Sequence, residues 1–500
     1  MRLKLASRQS DLARWQAVQV ARKIEQLPEK PSIEFNFKAS LGDQDLDTPL
    51  ASMGSKGVFT EDFYADLLNG HCDLVVHSWK DLPVEDRTDT MICATLKRAD
   101  MRDVLLVPEI VWQSAIETGA LTVLTSSPRR VYNLSACLPE LLPVKLRLNF
   151  VPVRGNVPTR LSKMHTQGCA LVLAKAGLDR LLEAEQESFL KEGAKVRSWI
   201  DTCRVQILPL SLNPPAAAQG ALAIEVARSN DETLRMMSLL NDAEAFRSVQ
   251  QERELLRQHG GGCHQKIGVA VMPRPYGVVR ALKGITDAQV VLNEWRIEND
   301  VPWAKAEHAD AVFPKEARDN SWFDRKALPV IRDFQNESLF FVARAEAWPE
   351  GFQPDSNQRL WTAGVQTWKR LAKLGIWVNG TQDGLGELEP LGLEQLWPGC
   401  SQKTWVKLTH NLSTGNNNVA VYALAPKPPE ESPQLRGKTH FFWMSRTAFD
   451  RARELFPAEI QSGHHACGPG STWLYLQSLG LKNPPKAFLG LDQFLRDSVP

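Results

Sequence analysis

Along the first 215 residues, short apolar runs alternate with stretches in which apolar side chains recur every three to four positions. The runs Leu3–Ala6, Phe35–Ala39, Leu74–His77, Leu121–Leu124, Asn149–Val153 and Ala170–Ala174 predict short buried strands. Helical periodicity over 10–26, 58–69, 127–137, 156–166 and 176–183 predicts the helices between them. Such alternation predicts α/β domains with mainly parallel sheets, because parallel neighbours need a crossover. Pro214-Pro215 marks a break. Beyond it, 217–298 reads as a smaller α+β unit, helical within 230–259 and with strands near 267–272, 277–284 and 289–296.

The second half repeats itself. Ala363-Gly364-Val365-Gln366-Thr367-Trp368 leads to Leu374-Gly375, and Cys467-Gly468-Pro469-Gly470-Ser471-Thr472-Trp473 leads to Leu479-Gly480. Upstream, Phe340-Phe341-Val342-Ala343-Arg344-Ala345-Glu346-Ala347-Trp348 is echoed by Phe441-Phe442-Trp443-Met444-Ser445-Arg446-Thr447-Ala448-Phe449. Two copies of strand–loop–helix–strand–loop–helix predict two similar α/β lobes with a cleft between them. Each copy supplies its own strands and helices, so residues 305–500 are expected to fold alone.

Composition sharpens the division. Five of fifteen tryptophans precede residue 300 and ten follow it, which predicts two joined units meeting between about 298 and 328. Five hundred residues suit three or four domains. A net charge of +1 gives no global field for nucleic acid or membrane, so anion binding must come from local clusters. No apolar run approaches the length needed to span a bilayer, and the amino terminus lacks the apolar core of a signal peptide. The eight cysteines include no Cys-x-x-Cys pair, which speaks against zinc or a disulfide framework. The expectation is a cytoplasmic monomer without metal.

The candidate chemistry sits at strand ends and helix starts, where α/β sheets bind ligands. Three polar clusters stand there: Val75-Val76-His77-Ser78-Trp79-Lys80-Asp81-Leu82-Pro83, Thr125-Ser126-Ser127-Pro128-Arg129-Arg130, and Arg154-Gly155-Asn156-Val157-Pro158-Thr159-Arg160. A thiol follows on a glycine loop, Gly260-Gly261-Gly262-Cys263. Together they can hold a polyanion around one acidic catalyst, since a guanidinium grips a carboxylate by two parallel hydrogen bonds. Taken singly, each has an ordinary alternative. Asp81 could cap a helix, the arginines could serve solubility, and Cys263 could be a buried thiol.

These motifs resemble hydroxymethylbilane synthase, the porphobilinogen deaminase family, over residues 1 to about 298. The opening motif is Ala6-Ser7-Arg8-Gln9-Ser10-Asp11-Leu12-Ala13-Arg14-Trp15-Gln16. The second is Gly42-Asp43 with Leu46-Asp47-Thr48-Pro49-Leu50 and Gly54-Ser55-Lys56-Gly57-Val58-Phe59, and the third is Lys80-Asp81-Leu82-Pro83. The second half is similar to uroporphyrinogen-III synthase over 305–497, through Gly364/Thr367, Gly468/Thr472 and Val421-Tyr422-Ala423-Leu424-Ala425-Pro426. The opening strand and helix of that family look abbreviated around 310–330. Gly260, Lys266, Leu124, Pro128, Trp79 and Ala218 depart from residues usual in the first family, Ala218 standing where glycine is typical.

The resemblance implies two periplasmic-binding-protein-like α/β lobes (1–98 with 197–214, and 99–196), an α+β cofactor domain (215–298) and a bilobal α/β module (305–500). It implies a dipyrromethane cofactor held by a thioether to Cys263, porphobilinogen as substrate, and Asp81 as the catalytic carboxylate. Cofactor and substrate binding would involve Arg8, Ser10, Gln16, Lys56, Phe59, Lys80, Thr125, Ser126, Ser127, Arg129, Arg130, Arg154, Gly155, Asn156, Arg160 and Arg180, with His77 structural. Arg180 has an exposed helical alternative. In the second half, Thr367, Tyr422, Ser445 and Thr472 are the candidates, and Tyr422 reads equally as a packed hinge residue. The implied function is condensation of four porphobilinogens to hydroxymethylbilane, followed by closure to uroporphyrinogen III. The rivals are a synthase with an inactive scaffold tail and an anion-binding solute receptor.

Overall fold

The computed structural model describes residues 2–39, 61–184, 193–260, 265–329, 334, 337–400, 405–415 and 417–500. The strands form five sheets. The first runs in the order Ser32–Lys38, Arg2–Arg8, Leu74–Ser78, Leu222–Ala227, Thr90–Ala94, and the second in the order Arg147–Val151, Ala120–Leu124, Ala170–Ala174, Asp103–Pro108, Cys203–Ile207. Each is mixed: four strands run in one direction, and Leu222–Ala227 or Asp103–Pro108 runs antiparallel to both of its neighbours. These two strands are wholly buried and follow the two crossings between the lobes.

The crossings correct the expected boundaries. Residues 203–207 do not return to the first lobe, because Val104 to Pro108 pair with Ile207 to Cys203 in the second sheet. The return comes later, through Leu222–Ala227, and Met236 and Met237 of the following helix complete the core of the first lobe. The third unit therefore begins with the helix Ala243–Gln258, capped by Asp242, whose side chain accepts the Ala245 N–H at 2.9 Å. This helix packs on an antiparallel meander of Lys266–Arg274, Gly277–Ile285 and Val291–Glu298.

The repeat in the second half occupies equivalent places in two sheets. Leu339–Val342 and Arg359–Thr362 lie side by side in a six-stranded sheet with Phe323–Ala327, Asn418–Pro426, Val406–His410 and Gly380–Thr381. His440–Trp443 and His464–Cys467 do so in a four-stranded parallel sheet, with Val312–Phe313 and Lys486–Ala487 at its edges. The copies differ after their first strand. The second continues into the helix Arg446–Leu455, while the first makes only a 3-10 turn at Ala345–Ala347. Pro349 explains this, since it supplies no N–H and its ring obstructs a helix through it.

The halves share their core. Leu339, Phe341, Trp361, Leu391, Leu393 and Leu396 pack with Val104, Leu106, Leu124 and Leu173 of the second lobe. The edges of the second and six-stranded sheets meet where the Ile207 N–H donates to the Asn379 carbonyl at 2.7 Å. Trp368 Nε1 donates to the Leu141 carbonyl at 3.0 Å, and Arg274 forms two bonds with Glu389, at 2.5 and 2.8 Å. Residues 305–500 thus lean on apolar surface of the second lobe that an isolated fragment would expose.

Candidate active site

Asp81 ends a 3-10 turn, Trp79–Asp81, that leaves the strand Leu74–Ser78. Residues 82–89 form bends and irregular chain rather than a helix, so Asp81 has no helix to cap. Buried Trp79 anchors the turn against Phe246, their rings 5.1 Å apart, and the Trp79 backbone N–H donates to the Ala221 carbonyl at 3.1 Å. The Asp81 side chain is left exposed. Beside it, burial lowers Lys80 to about 8 despite the opposing charge of Asp81, and Arg130 adds to the lowering. Lys80 Nζ donates to Gln219 Oε1 at 3.4 Å.

Arg160 is the meeting point of the cluster. Burial lowers it to about 10; Arg130, Arg154 and Arg8 push the same way, and Asp81 opposes them. One carboxylate and three further guanidiniums thus stand within electrostatic reach of Arg160. The helix Val157–Thr166 positions Arg160, capped by Asn156 Oδ1, which accepts the Thr159 N–H at 2.9 Å. Arg160 Nε donates to the Gly155 carbonyl at 2.7 Å. Gly155 has φ +112, and a Cβ there would stand 2.6 Å from Thr159 Cγ2, so the turn requires glycine.

The helix Pro128–Leu141 starts from Ser127, whose side chain accepts the Arg130 N–H. Ser126 Oγ donates to the Val153 carbonyl at 2.7 Å and accepts the Val153 N–H at 2.8 Å, tying two strand ends together. Thr125, Ser126, Ser127, Arg130, Arg154 and Arg160 line one cleft of about 1370 Å³.

Arg129 stands elsewhere. Both it and Arg130 bind Asp103, which is wholly buried and was not singled out in the sequence. Asp103 accepts from Arg129 Nη2 at 2.9 Å, Arg130 Nη2 at 2.7 Å, Arg130 Nε at 3.1 Å, Asn213 Nδ2 at 2.9 Å and Gln219 Nε2 at 2.9 Å. Burial pushes the Asp103 carboxyl up, but the two guanidiniums hold it well below the usual carboxylate range. Arg180 is buried too, not exposed, and Nη2 donates to the Gly220 carbonyl at 2.9 Å. Gln16 Nε2 donates to Ser78 Oγ at 3.0 Å, Ser10 occupies the N-cap of Asp11–Ile24, and His77 is paired with Glu225 at 2.9 Å. Ala218 holds φ +65, a conformation glycine adopts more readily, with its N–H on Glu252 at 2.8 Å. Lys56, Phe59 and Cys263 lie outside the described residues.

In the second half, Ser445 caps the helix Arg446–Leu455 by accepting the Ala448 N–H at 3.2 Å. Thr367 and Thr472 lie in the first turns of Val365–Lys373 and Ser471–Ser478. The turn at Gly470 touches Gly386, in a loop tied to the first half by Asp383, which accepts the Ser211 N–H at 2.8 Å. Tyr422 is buried and lines a separate cleft of about 1100 Å³ with Arg325, Glu346 and Gln358; burial pushes its phenol up. The structure therefore keeps Tyr422 apart from the cleft at Arg160.

The two lobes thus present a cation-lined cleft suited to a polyanion, and Asp81 stands near enough to Arg160 to oppose its lowering. The family model described as "Porphobilinogen deaminase, dipyromethane cofactor binding domain" matches residues 3–235. The porphobilinogen deaminase of Syntrophomonas wolfei is 35% identical over 284 residues, 57% of this chain and 84% of that protein. That of Campylobacter lari is 32% identical over 308 residues, 61% of this chain and 92% of the other. The chain belongs to the porphobilinogen deaminase family. Among solved structures, full-length OxyR from Pseudomonas aeruginosa is similar over 48% of this chain and 68% of that one, with a TM-score of 0.26 and 12% identity. Among the described residues, no helix is long and apolar enough to cross a membrane.

Proposed function

We propose that the first 298 residues condense four porphobilinogen molecules head to tail to give hydroxymethylbilane, with Asp81 as the catalytic carboxylate. The observation that carries this is the cleft lined by Arg130, Arg154 and Arg160, with Asp81 and Arg8 both acting electrostatically on Arg160. Each substrate brings an acetate and a propionate, which the guanidiniums can grip two-pronged. When the aminomethyl C–N bond breaks, ammonia leaves and a cation develops on the pyrrole. Asp81 stabilises that cation and exchanges the protons that the leaving amine gains and the attacking carbon loses. The cluster suits a dipyrromethane, whose carboxylates Lys80 and the arginines would hold; attached through Cys263, it would supply the carbon from which the chain is extended.

The second half, in the same reading, closes the linear product to uroporphyrinogen III, with Tyr422 assisting departure of the terminal hydroxyl. Its support is the repeated strand–turn–helix in two sheets and the cleft at Tyr422. A scaffold reading has its own support in the core shared with the second lobe. Product analysis with porphobilinogen as sole substrate decides both. The wild type should give isomer III, and Asp81→Asn should lower turnover by about a hundredfold or more. Isomer I alone would leave the second half a scaffold, and a loss below about threefold would remove Asp81 from catalysis.

A further inference from the structure

Two chain crossings join the lobes of the first half. Residues 95–102 lead from Thr90–Ala94 to Asp103–Pro108, and 208–221 lead back from Cys203–Ile207 to Leu222–Ala227. The crossings hold each other. Arg98 Nε donates to the Gln219 carbonyl at 3.0 Å, Gln219 Nε2 to the Met101 carbonyl at 2.7 Å, and the Ala99 N–H to the Gly220 carbonyl at 3.3 Å. They also reach the site. Gln219 Nε2 donates to Asp103, which binds Arg130, and Gln219 Oε1 accepts from Lys80 beside Asp81. A shift of the crossings therefore moves cations of both lobes at once.

A loop of the second half, 381–392, grips both crossings. On the first, the Leu391 carbonyl accepts from Arg102 Nη2 at 2.7 Å. On the second, Asp383 accepts the Ser211 N–H at 2.8 Å and the Ser211 hydroxyl. Asp383 is buried, and a buried carboxylate parted from its donors is costly, so loop and crossing are tied in free energy. The fit is close at Gly392, where a Cβ would stand 2.6 Å from Asp100 Oδ2 and 2.8 Å from Arg102 Nη2. Glu389 on Arg274, and the Leu385 carbonyl accepting the Tyr276 hydroxyl at 3.1 Å, anchor the loop to the third unit. Within the loop, Gln382 Nε2 donates to the Glu389 carbonyl at 2.7 Å and the Asp383 N–H to Thr381 Oγ1 at 3.0 Å, so it moves as one body. Beneath it lies a cavity of about 500 Å³ bordered by Arg98, Asp100, Pro209 and Leu210. On this side polar bonds to the loop, rather than close packing, hold the crossings.

We propose that the loop 381–392 is a clamp on the lobe crossings, with Asp383 as a positioning residue for the reaction of the first half. It touches no reacting atom; it acts through Ser211 and the crossings on Lys80 and Arg130. The second half thereby sets the spacing of two lobes whose cations must meet around one polyanion. This role rests on the deaminase reading above. Without the clamp the lobes sample wider spacings, and only the fraction at the right one binds substrate. Apparent affinity then falls by that fraction, while the rate at saturation holds.

Steady-state kinetics of the full-length holoenzyme with porphobilinogen, together with hydrogen exchange of peptides covering 95–102, tests it. Asp383→Gly removes the carboxylate and leaves the backbone free to keep its φ of +58. It should raise KM about fivefold, leave kcat within about twofold, and speed exchange at 95–102. Asp383→Asn, whose amide can accept the Ser211 N–H and donate to the hydroxyl, should restore both. Wild-type KM in Asp383→Gly would overturn the clamp. So would a loss of kcat at unchanged KM, which is what a smaller folded fraction produces. A wild type that consumes no porphobilinogen would defeat the deaminase reading and the positioning role with it, whereas unchanged exchange alone defeats the grip.

Discussion

The two halves differ in what fills their buried interior. In the first, the crossings between lobes are fixed by buried charge. Asp103 gathers Arg129 and Arg130, and Glu252 takes Arg98 two-pronged at 2.7 and 2.8 Å while accepting the Ala218 and Val271 N–H groups. In the second, wholly buried rings fill the cores: Trp322 packs with Phe313 and Trp443 with Phe449, while Trp361 and Trp368 lie in the cores shared with the second lobe. A charge network is unforgiving, because each member left alone is a buried ion. An aromatic core is tolerant, because its contacts are many and individually small. The difference also separates how the halves can be read: polar partners point to chemistry, whereas rings specify a shape that many activities share.

The largest effect should come from Asp103. Asp103→Ala leaves two guanidiniums buried without a counter-charge and should cost about 3–5 kcal/mol in denaturant unfolding. A loss under about 1 kcal/mol would show that the charge network is dispensable and erase the contrast. Lys80 should set the alkaline limb of activity. Its folded pKa of about 8 lies below the ordinary 10.5, so the unfolded chain binds its proton more tightly in that window. Stability from this group therefore rises with pH between about 8 and 10.5, while the charged form that meets carboxylates is lost. We expect kcat/KM to fall above about pH 8, and Lys80→Gln to flatten that limb and lower the rate below it. The smallest effect sharpens the other side. Trp368→Phe keeps most of the ring but removes the bond to Leu141, and should cost about 1 kcal/mol. A cost matching that of Asp103→Ala would mean that the seam between the halves depends on polar contacts as heavily as the lobe crossings do.

The parallel strands and their helices were legible, because Ala170–Ala174 or Leu121–Leu124 carry strong local patterns. The antiparallel crossing strands were not. Asp103–Pro108 begins with a charge and ends in proline, and Leu222–Ala227 contains Glu225, whose partners His77 and Thr90 are remote in sequence. Without those strands the lobe boundaries fell in the wrong place. Arg129 and Arg130 show the same limit at the site. Adjacent arginines at a helix start announce an anion, but not that a buried aspartate from another strand binds both of them. Asp81, by contrast, is singled out by its motif, and the structure adds that no helix follows for it to cap and that it acts on Arg160.

The central claim is a deaminase site built around a covalent dipyrromethane at Cys263. Intact-mass and peptide measurements on the native protein test it directly. The protein should be heavier than its sequence by one dipyrromethane, on a peptide containing Cys263, and Cys263→Ser should lose both that mass and nearly all turnover. A fully active protein of unmodified mass would contradict the account.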